Sequence, residues 1–149
     1  MAGLTDRLGG RVYLDTNVVV YIIEGFEPYA RVLSELLHAM DTGGIQAVTS
    51  ELTLAEALVK PLQSGRADIA AAYTQFVSTG RGREIVGVSR PILADAAKFR
   101  ASSSLKLPDA IHVASAVAAG CTAFLTNDAA IHHAGPCPVV QLSSLIPVS

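Results

Sequence analysis

The sequence predicts an α/β fold built on a central, mostly parallel sheet, and three observations lead there. Short β-branched runs alternate with longer helical patterns. Glycine and proline breaks fall between them, and 149 residues at 50% hydrophobic content suffice for a single domain, 1–149, with a sizeable core. In chain order, Val12-Tyr13-Leu14 makes a strand at Arg11–Leu14, and the apolar run Val18–Ile23 lies in a helix at Asn17–Glu24. A helix at Pro28–Asp41 stops at Gly43-Gly44, before a strand at Ile45–Thr49. Leu52, Ala55, Leu58 and Val59 form the apolar arc of a helix at Ser50–Lys60. After Ser64-Gly65 comes a helix at Ala67–Ser78, and after Gly80-Arg81-Gly82 a strand at Glu84–Val88. Ile92, Ala96 and Phe99 share a stripe on a helix at Pro91–Ser102, within which Arg100 also falls. Pro108 is pre-set for the first turn of a helix at Pro108–Ala119, rich in small residues for close packing on the sheet. Beyond Gly120, a strand at Thr122–Leu125, a short helix near Ala129–His132, the break Gly135-Pro136 and a strand at Val139–Gln141 complete five strands.

Composition narrows the function classes. Mean hydropathy is +0.41, yet the longest apolar stretch, Val18–Ile23, falls far short of the roughly 20 residues that span a bilayer. No membrane association is expected. Met1–Gly10 carries Asp6 and no apolar core of a leader, so a cytoplasmic location is the default expectation. Cys121 and Cys137 are too few for a disulfide framework and lack zinc-site spacing, which leaves reduced core thiols. The net charge of −2 argues against indiscriminate nucleic-acid binding. Its distribution is uneven: Lys60–Lys106 holds eight basic residues against three acidic ones, a pattern suited to a phosphate backbone beside a cation site.

Four acidic residues stand among apolar neighbours: Asp15 after the first strand, Glu56 inside its helix, Asp109 opening a helix, and Asp128 after Thr122–Leu125. Isolated buried carboxylates are costly, so four that converge imply a cation. Ligands of parallel sheets bind beyond the carboxyl ends of the strands, where Asp15 and Asp128 belong. Each acid also has a structural explanation: Asp15 and Asp128 as helix caps, Asp109 as a stabiliser of its helix start, Glu56 as a surface partner of Lys60. Periodicity cannot choose between Glu51 and Glu56. His112, three residues after Asp109, has the spacing of a ligand but reads better as a packed residue, and His132-His133 point apart. Together the acids indicate metal-assisted phosphodiester hydrolysis, because carboxylate-held hard cations offset the charge that repels a nucleophile from phosphate.

The ordered set Leu14-Asp15-Thr16-Asn17, Leu54-Ala55-Glu56, Leu107-Pro108-Asp109-Ala110-Ile111-His112-Val113-Ala114 and Leu125-Thr126-Asn127-Asp128 resembles the PIN domain family, its VapC-type toxins in particular. The resemblance implies a Rossmann-like three-layer α/β/α sandwich with four to five strands. It also implies Mg²⁺ or Mn²⁺ as cofactor, endonucleolytic cleavage of RNA to 5′-phosphate and 3′-hydroxyl ends, and the role of toxin in a type II toxin–antitoxin pair. It selects Glu56 over Glu51, makes Asp15, Glu56, Asp109 and Asp128 the catalytic and metal-binding set, and gives Thr126 a supporting hydroxyl that holds Asp15. A homodimer and a protein antitoxin are the partners it implies. A catalytically silent module that binds RNA or protein is the competing reading, since fold does not guarantee activity.

Four further expectations follow. Crowded carboxylates should raise the pKa of at least one of them. Arg100, inside an apolar stripe, should reach toward the acids or an incoming phosphate. Asn17–Glu24 and Ala67–Ser78 carry more apolar residues than one sheet face needs, so part of them should lie exposed as an interface. Cys121 and Cys137 should start neighbouring parallel strands.

Overall fold

The computed structural model describes residues 3–147. Its elements are α1 (Leu4–Leu8), β1 (Arg11–Leu14), α2 (Thr16–Glu24), α3 (Ala30–Thr42), β2 (Gln46–Ser50), α4 (Glu51–Gln63), α5 (Ala67–Phe76), β3 (Arg83–Val86), α6 (Arg90–Ala101), α7 (Leu107–Ala118), β4 (Ala123–Thr126) and β5 (Val139–Gln141), with a 3-10 turn at Leu142–Leu145. The five strands are all parallel, in the order β3-β2-β1-β4-β5.

Successive side chains of a strand face opposite sides, and this divides the core in two. Val12 and Leu14 of β1 join Ala47, Ala123 and Leu125 in one cluster, which takes in Val18 and Val19 of α2, Leu33 and Leu36 of α3, Ala57 of α4 and Tyr73 of α5. Tyr13, between them, faces the other way with Val48 and Phe124, against Val113 and Ala116 of α7. Ile92 and Ala96 of α6 pack on Ala110 and Ala114 of α7. Helices therefore cover both faces of the sheet, and the three-layer α/β/α sandwich is the observed fold.

Departures from the expected elements have local causes. The unexpected α1 is five residues long with a single buried apolar residue, Leu8, too short to show a period. α4 continues through Pro61 to Gln63 instead of stopping at Lys60, with the proline ring buried. Ala129–His132 is a turn and not a helix. Gln141 explains why: its Nε2 donates to the carbonyls of Asp128 and Ile131 at 3.1 and 3.0 Å, tying the segment to β5.

Arg100 is exposed on α6 and forms no ion pair among the described residues, contrary to the expectation of an inward-reaching arginine. The apolar surplus of α2 is likewise accounted for, because Val20, Tyr21, Ile22 and Ile23 pack on the first cluster. The large exposed apolar residues lie elsewhere, among them Val59 and Leu62 on α4, Leu93 on α6 and Leu107 at the start of α7. Cys121 and Cys137 are free thiols, buried in the second cluster just before the adjacent strands β4 and β5. Among the described residues, no helix is long and apolar enough to cross a membrane.

Candidate active site

Strand order reverses between β1 and β4, the position where parallel sheets present ligand sites at their carboxyl edge. Leu14 and Leu125 are paired at that edge, and the next residue, Asp15, donates its backbone N–H to the Leu125 carbonyl at 3.0 Å. Asp15 is both the N-cap of α2 and a buried carboxylate, 4% exposed. Oδ1 accepts from the Thr16 amide at 2.9 Å. Oδ2 accepts from the Thr126 hydroxyl at 2.6 Å and from Asn17 Nδ2 at 3.2 Å. Every donor is neutral, so the charge is oriented without being cancelled.

Thr126 does two things at once. Its hydroxyl gives its proton to Asp15 and accepts the amide of Asp128 at 3.0 Å, fixing the start of the loop that bears the fourth acid. Asp128 Oδ1 then accepts the Ala130 amide at 2.9 Å, so this acid caps a turn and, among the described residues, Oδ2 has no protein donor. Asn17 closes the arrangement from α2, its Oδ1 accepting the Asn127 amide at 3.0 Å.

Glu56 comes from α4, whose start is set by Ser50 accepting the Leu52 amide. One turn on, Thr53 is fully buried and hydrogen-bonded to Thr49 of β2, which directs the following turn toward the carboxyl edge. Thr16 Oγ1 donates to Glu56 Oε1 at 2.7 Å, and His112 Nε2 lies 2.6 Å from the same oxygen. Burial pushes the Glu56 carboxyl up, but the hydrogen bonds from His112 and Thr16, aided by the charge of His112, outweigh it and hold the group below its usual range. Glu51, which periodicity left in play, is exposed at the first position of α4.

Asp109 lies in the first turn of α7, half-buried. Its carboxyl is held above the usual range by burial first, then by the negative charges of Asp15 and Asp128, with a smaller contribution from Glu56 that His112 opposes. Each of the other three acids thus acts electrostatically on Asp109, so the four share one region of the structure without closing on a single point. Among the described residues no lysine or arginine pairs with any of them, and the one basic side chain that meets the set is His112, 2.6 Å from Glu56.

The donor set fits a hard divalent cation. Carboxylate oxygens suit Mg²⁺ or Mn²⁺. Among the described residues no three His, Cys, Asp or Glu side chains stand close enough together to hold an ion by themselves. Mg²⁺ takes one or two carboxylates and keeps several of its waters, which such a site permits.

His112 is packed as expected, 1% exposed, and its ring also meets Glu56, while Asn17 Nδ2 donates to Asp15. The available signal for His112 was its position one turn beyond Asp109, on the same face of α7.

The profile of the PIN domain matches residues 12–135. The chain belongs to the PIN domain family. No curated protein matches it in sequence. Several solved structures share the fold of this PIN domain. DNA-bound VapBC from Salmonella typhimurium superposes with a TM-score of 0.71 at 16% identity, covering 89% of this chain and 98% of that one. A toxin–antitoxin complex from Klebsiella pneumoniae gives 0.65 at 22% identity, with 88% and 97% covered. The Sarcin-Ricin loop cleaving toxin VapC20 of Mycobacterium tuberculosis gives 0.62 at 13% identity, with 76% and 86% covered. At these identities the likeness is one of fold.

Proposed function

We propose that this single PIN domain is a Mg²⁺- or Mn²⁺-dependent endoribonuclease that hydrolyses RNA phosphodiester bonds as the toxin of a type II toxin–antitoxin pair. The observation that carries the reading is Asp109, a carboxyl pushed upward by burial and by Asp15 and Asp128, in a cluster with no lysine or arginine partner among the described residues. A cation relieves that repulsion.

When bound, the divalent ion offsets phosphate charge and furnishes an activated water. Asp15 and Asp109 are its principal holders in this reading, and Asp128 serves a second ion or acts through water. Thr126 and Asn17 keep Asp15 turned to the strand edge. Glu56 orients the attacking water and takes its proton as the new P–O bond forms. The bond to the 3′-oxygen breaks and that oxygen takes up a proton from solvent water, leaving 5′-phosphate and 3′-hydroxyl ends.

The partner assignment draws on the neighbours, one of them a toxin–antitoxin complex and another a toxin that cleaves the Sarcin-Ricin loop. An antitoxin whose basic segment covers the acidic edge would offset its charge, and Val59 and Leu62 on α4 offer exposed apolar surface to such a partner. A homodimer and a cytoplasmic location complete the proposal.

Incubating an RNA pool with wild type and Asp15→Asn, with Mg²⁺, Mn²⁺ or EDTA, tests it. Wild type should cut with either metal and stop with EDTA, and Asp15→Asn should not cut. Wild type that binds RNA but leaves it intact at every metal concentration would support the silent binding module instead.

A further inference from the structure

Beneath Glu56 lies a buried polar pair that the carboxylate set does not itself account for. Tyr13 and His112 are 0% and 1% exposed. Tyr13 Oη is 2.7 Å from His112 Nδ1, and the rings meet edge-on, 5.8 Å between centroids at 64°. Tyr13 is in turn stacked on Phe124, with 5.1 Å between centroids and 12° between planes. The imidazole is thereby held on the side away from the site by a side chain of the central strand.

Its other nitrogen reaches the site. Nε2 lies 2.6 Å from Glu56 Oε1, across 56 residues of sequence. An ionised carboxylate only accepts, so Nε2 is the donor in either protonation state of the ring. Thr16 Oγ1 donates to the same oxygen. Both donors therefore fall on Oε1, and no protein group among the described residues hydrogen-bonds Oε2. Glu56 also keeps 33% of its side-chain surface exposed. One oxygen is committed to the fold and the other is presented outward.

We propose that His112, held by Tyr13, is the positioning residue of Glu56: with Thr16 it occupies Oε1, so that Oε2 alone is offered to a divalent cation or to its water. This rests on the divalent-cation reading above. Partners behind metal-binding groups fix their orientation, and removing one characteristically weakens metal affinity or activity by about 10–100-fold.

Mn²⁺ binding to the metal-free protein, followed by electron paramagnetic resonance with folding checked by circular dichroism, tests this without RNA. His112→Leu removes the donor and should weaken Mn²⁺ binding about tenfold. His112→Gln keeps an N–H near the Nε2 position and should recover most of the loss; Tyr13→Phe, which frees the far side of the ring, should fall between. In a Glu56→Ala background, His112→Leu should have no further effect. Unchanged Mn²⁺ affinity in His112→Leu, or an equal loss with and without Glu56, overturns the proposal. If His112→Leu fails to fold, imidazole ¹⁵N spectra decide. A hydrogen-bonded Nε2 proton should be protected in wild type and exchange freely in Glu56→Ala, and free exchange in wild type overturns it. Absence of RNA cleavage by wild type would sink the nuclease reading while leaving the Mn²⁺ affinities to decide this one.

Discussion

Asp109 shows how one side chain registers the whole site. Its carboxyl sits above the usual range because burial, Asp15 and Asp128 all disfavour the charged form. A folded-state pKa above the unfolded one means that folding favours the proton, so stability falls as pH rises from the unfolded value, about 3.9, through the folded value. Asp109→Asn should accordingly raise the melting temperature of the metal-free protein at pH 7, and the gain should disappear below about pH 3.9. Millimolar Mg²⁺ should raise the melting temperature of wild type and do so far less for the Asn variant. An Asn variant with the wild-type melting temperature across that range would mean that the carboxylates do not repel one another. Thr126→Val tests the neighbouring contact. It removes the donor to Asp15 Oδ2 and the acceptor for the Asp128 amide together. A loss of metal affinity on the order of tenfold is expected by calorimetry.

Helices α6 and α7 depend on small side chains. Ala96 and Ala110 are fully buried and Ala114 is 2% exposed, so the two helices approach with no room for longer groups. That approach places the start of α7, and with it Asp109, at the strand edge. Ala114→Leu should overpack the contact and cost about 1–3 kcal/mol in urea unfolding. Cleavage should fall as well, because Asp109 and His112 ride on the same helix. An exposed control on the same element, Ala118→Ser, should leave both unchanged within about 0.5 kcal/mol. The segment after β4 makes the complementary point: Asp128 depends for its position on its amide's hydrogen bond to Thr126 and on the donation from Gln141 to its carbonyl, not on a helix.

The two faces of the sheet divide the labour of the whole molecule. The larger cluster, around α2, α3 and α5, is apolar, while the second holds Tyr13, His112 nearby, and both cysteines. Burial, then the neighbouring Cys137, pushes Cys121 up to about 12; burial alone pushes Cys137 to about 11. Both stay protonated thiols at pH 8, where the thiolate is the reactive form. Iodoacetamide should therefore leave the native protein unlabelled at pH 8 and modify both cysteines in urea. Rapid labelling of the native state would show that the second face opens readily, as would a fold less firmly closed around Tyr13.

The order of the five strands and the main helices, three of the four acids at element ends and the Asp15–Thr126 pairing suggested by family likeness were legible in the chain, because period, breakers and motif spacing are properties of short segments. β1 and β5 carry the expected bounds, and the other strands shift by one or two residues. What the chain did not disclose depends on partners distant in sequence. Periodicity left Glu51 and Glu56 level, and the structure favours Glu56 because Thr16 and His112 meet it from α2 and α7. His112 looked like packing since its partners, Tyr13 and Glu56, lie 99 and 56 residues away. Arg100 fell within an apolar arc on the helix wheel, yet α6 presents it to solvent, because a wheel gives the angle of a residue and not the neighbour that covers it. The apolar excess of α2 proved to be buried by α3, α4 and α5, whose approach no local pattern records. Local pattern determined which elements form and which of their ends bear charge; only long-range packing decided which side chains those charges meet.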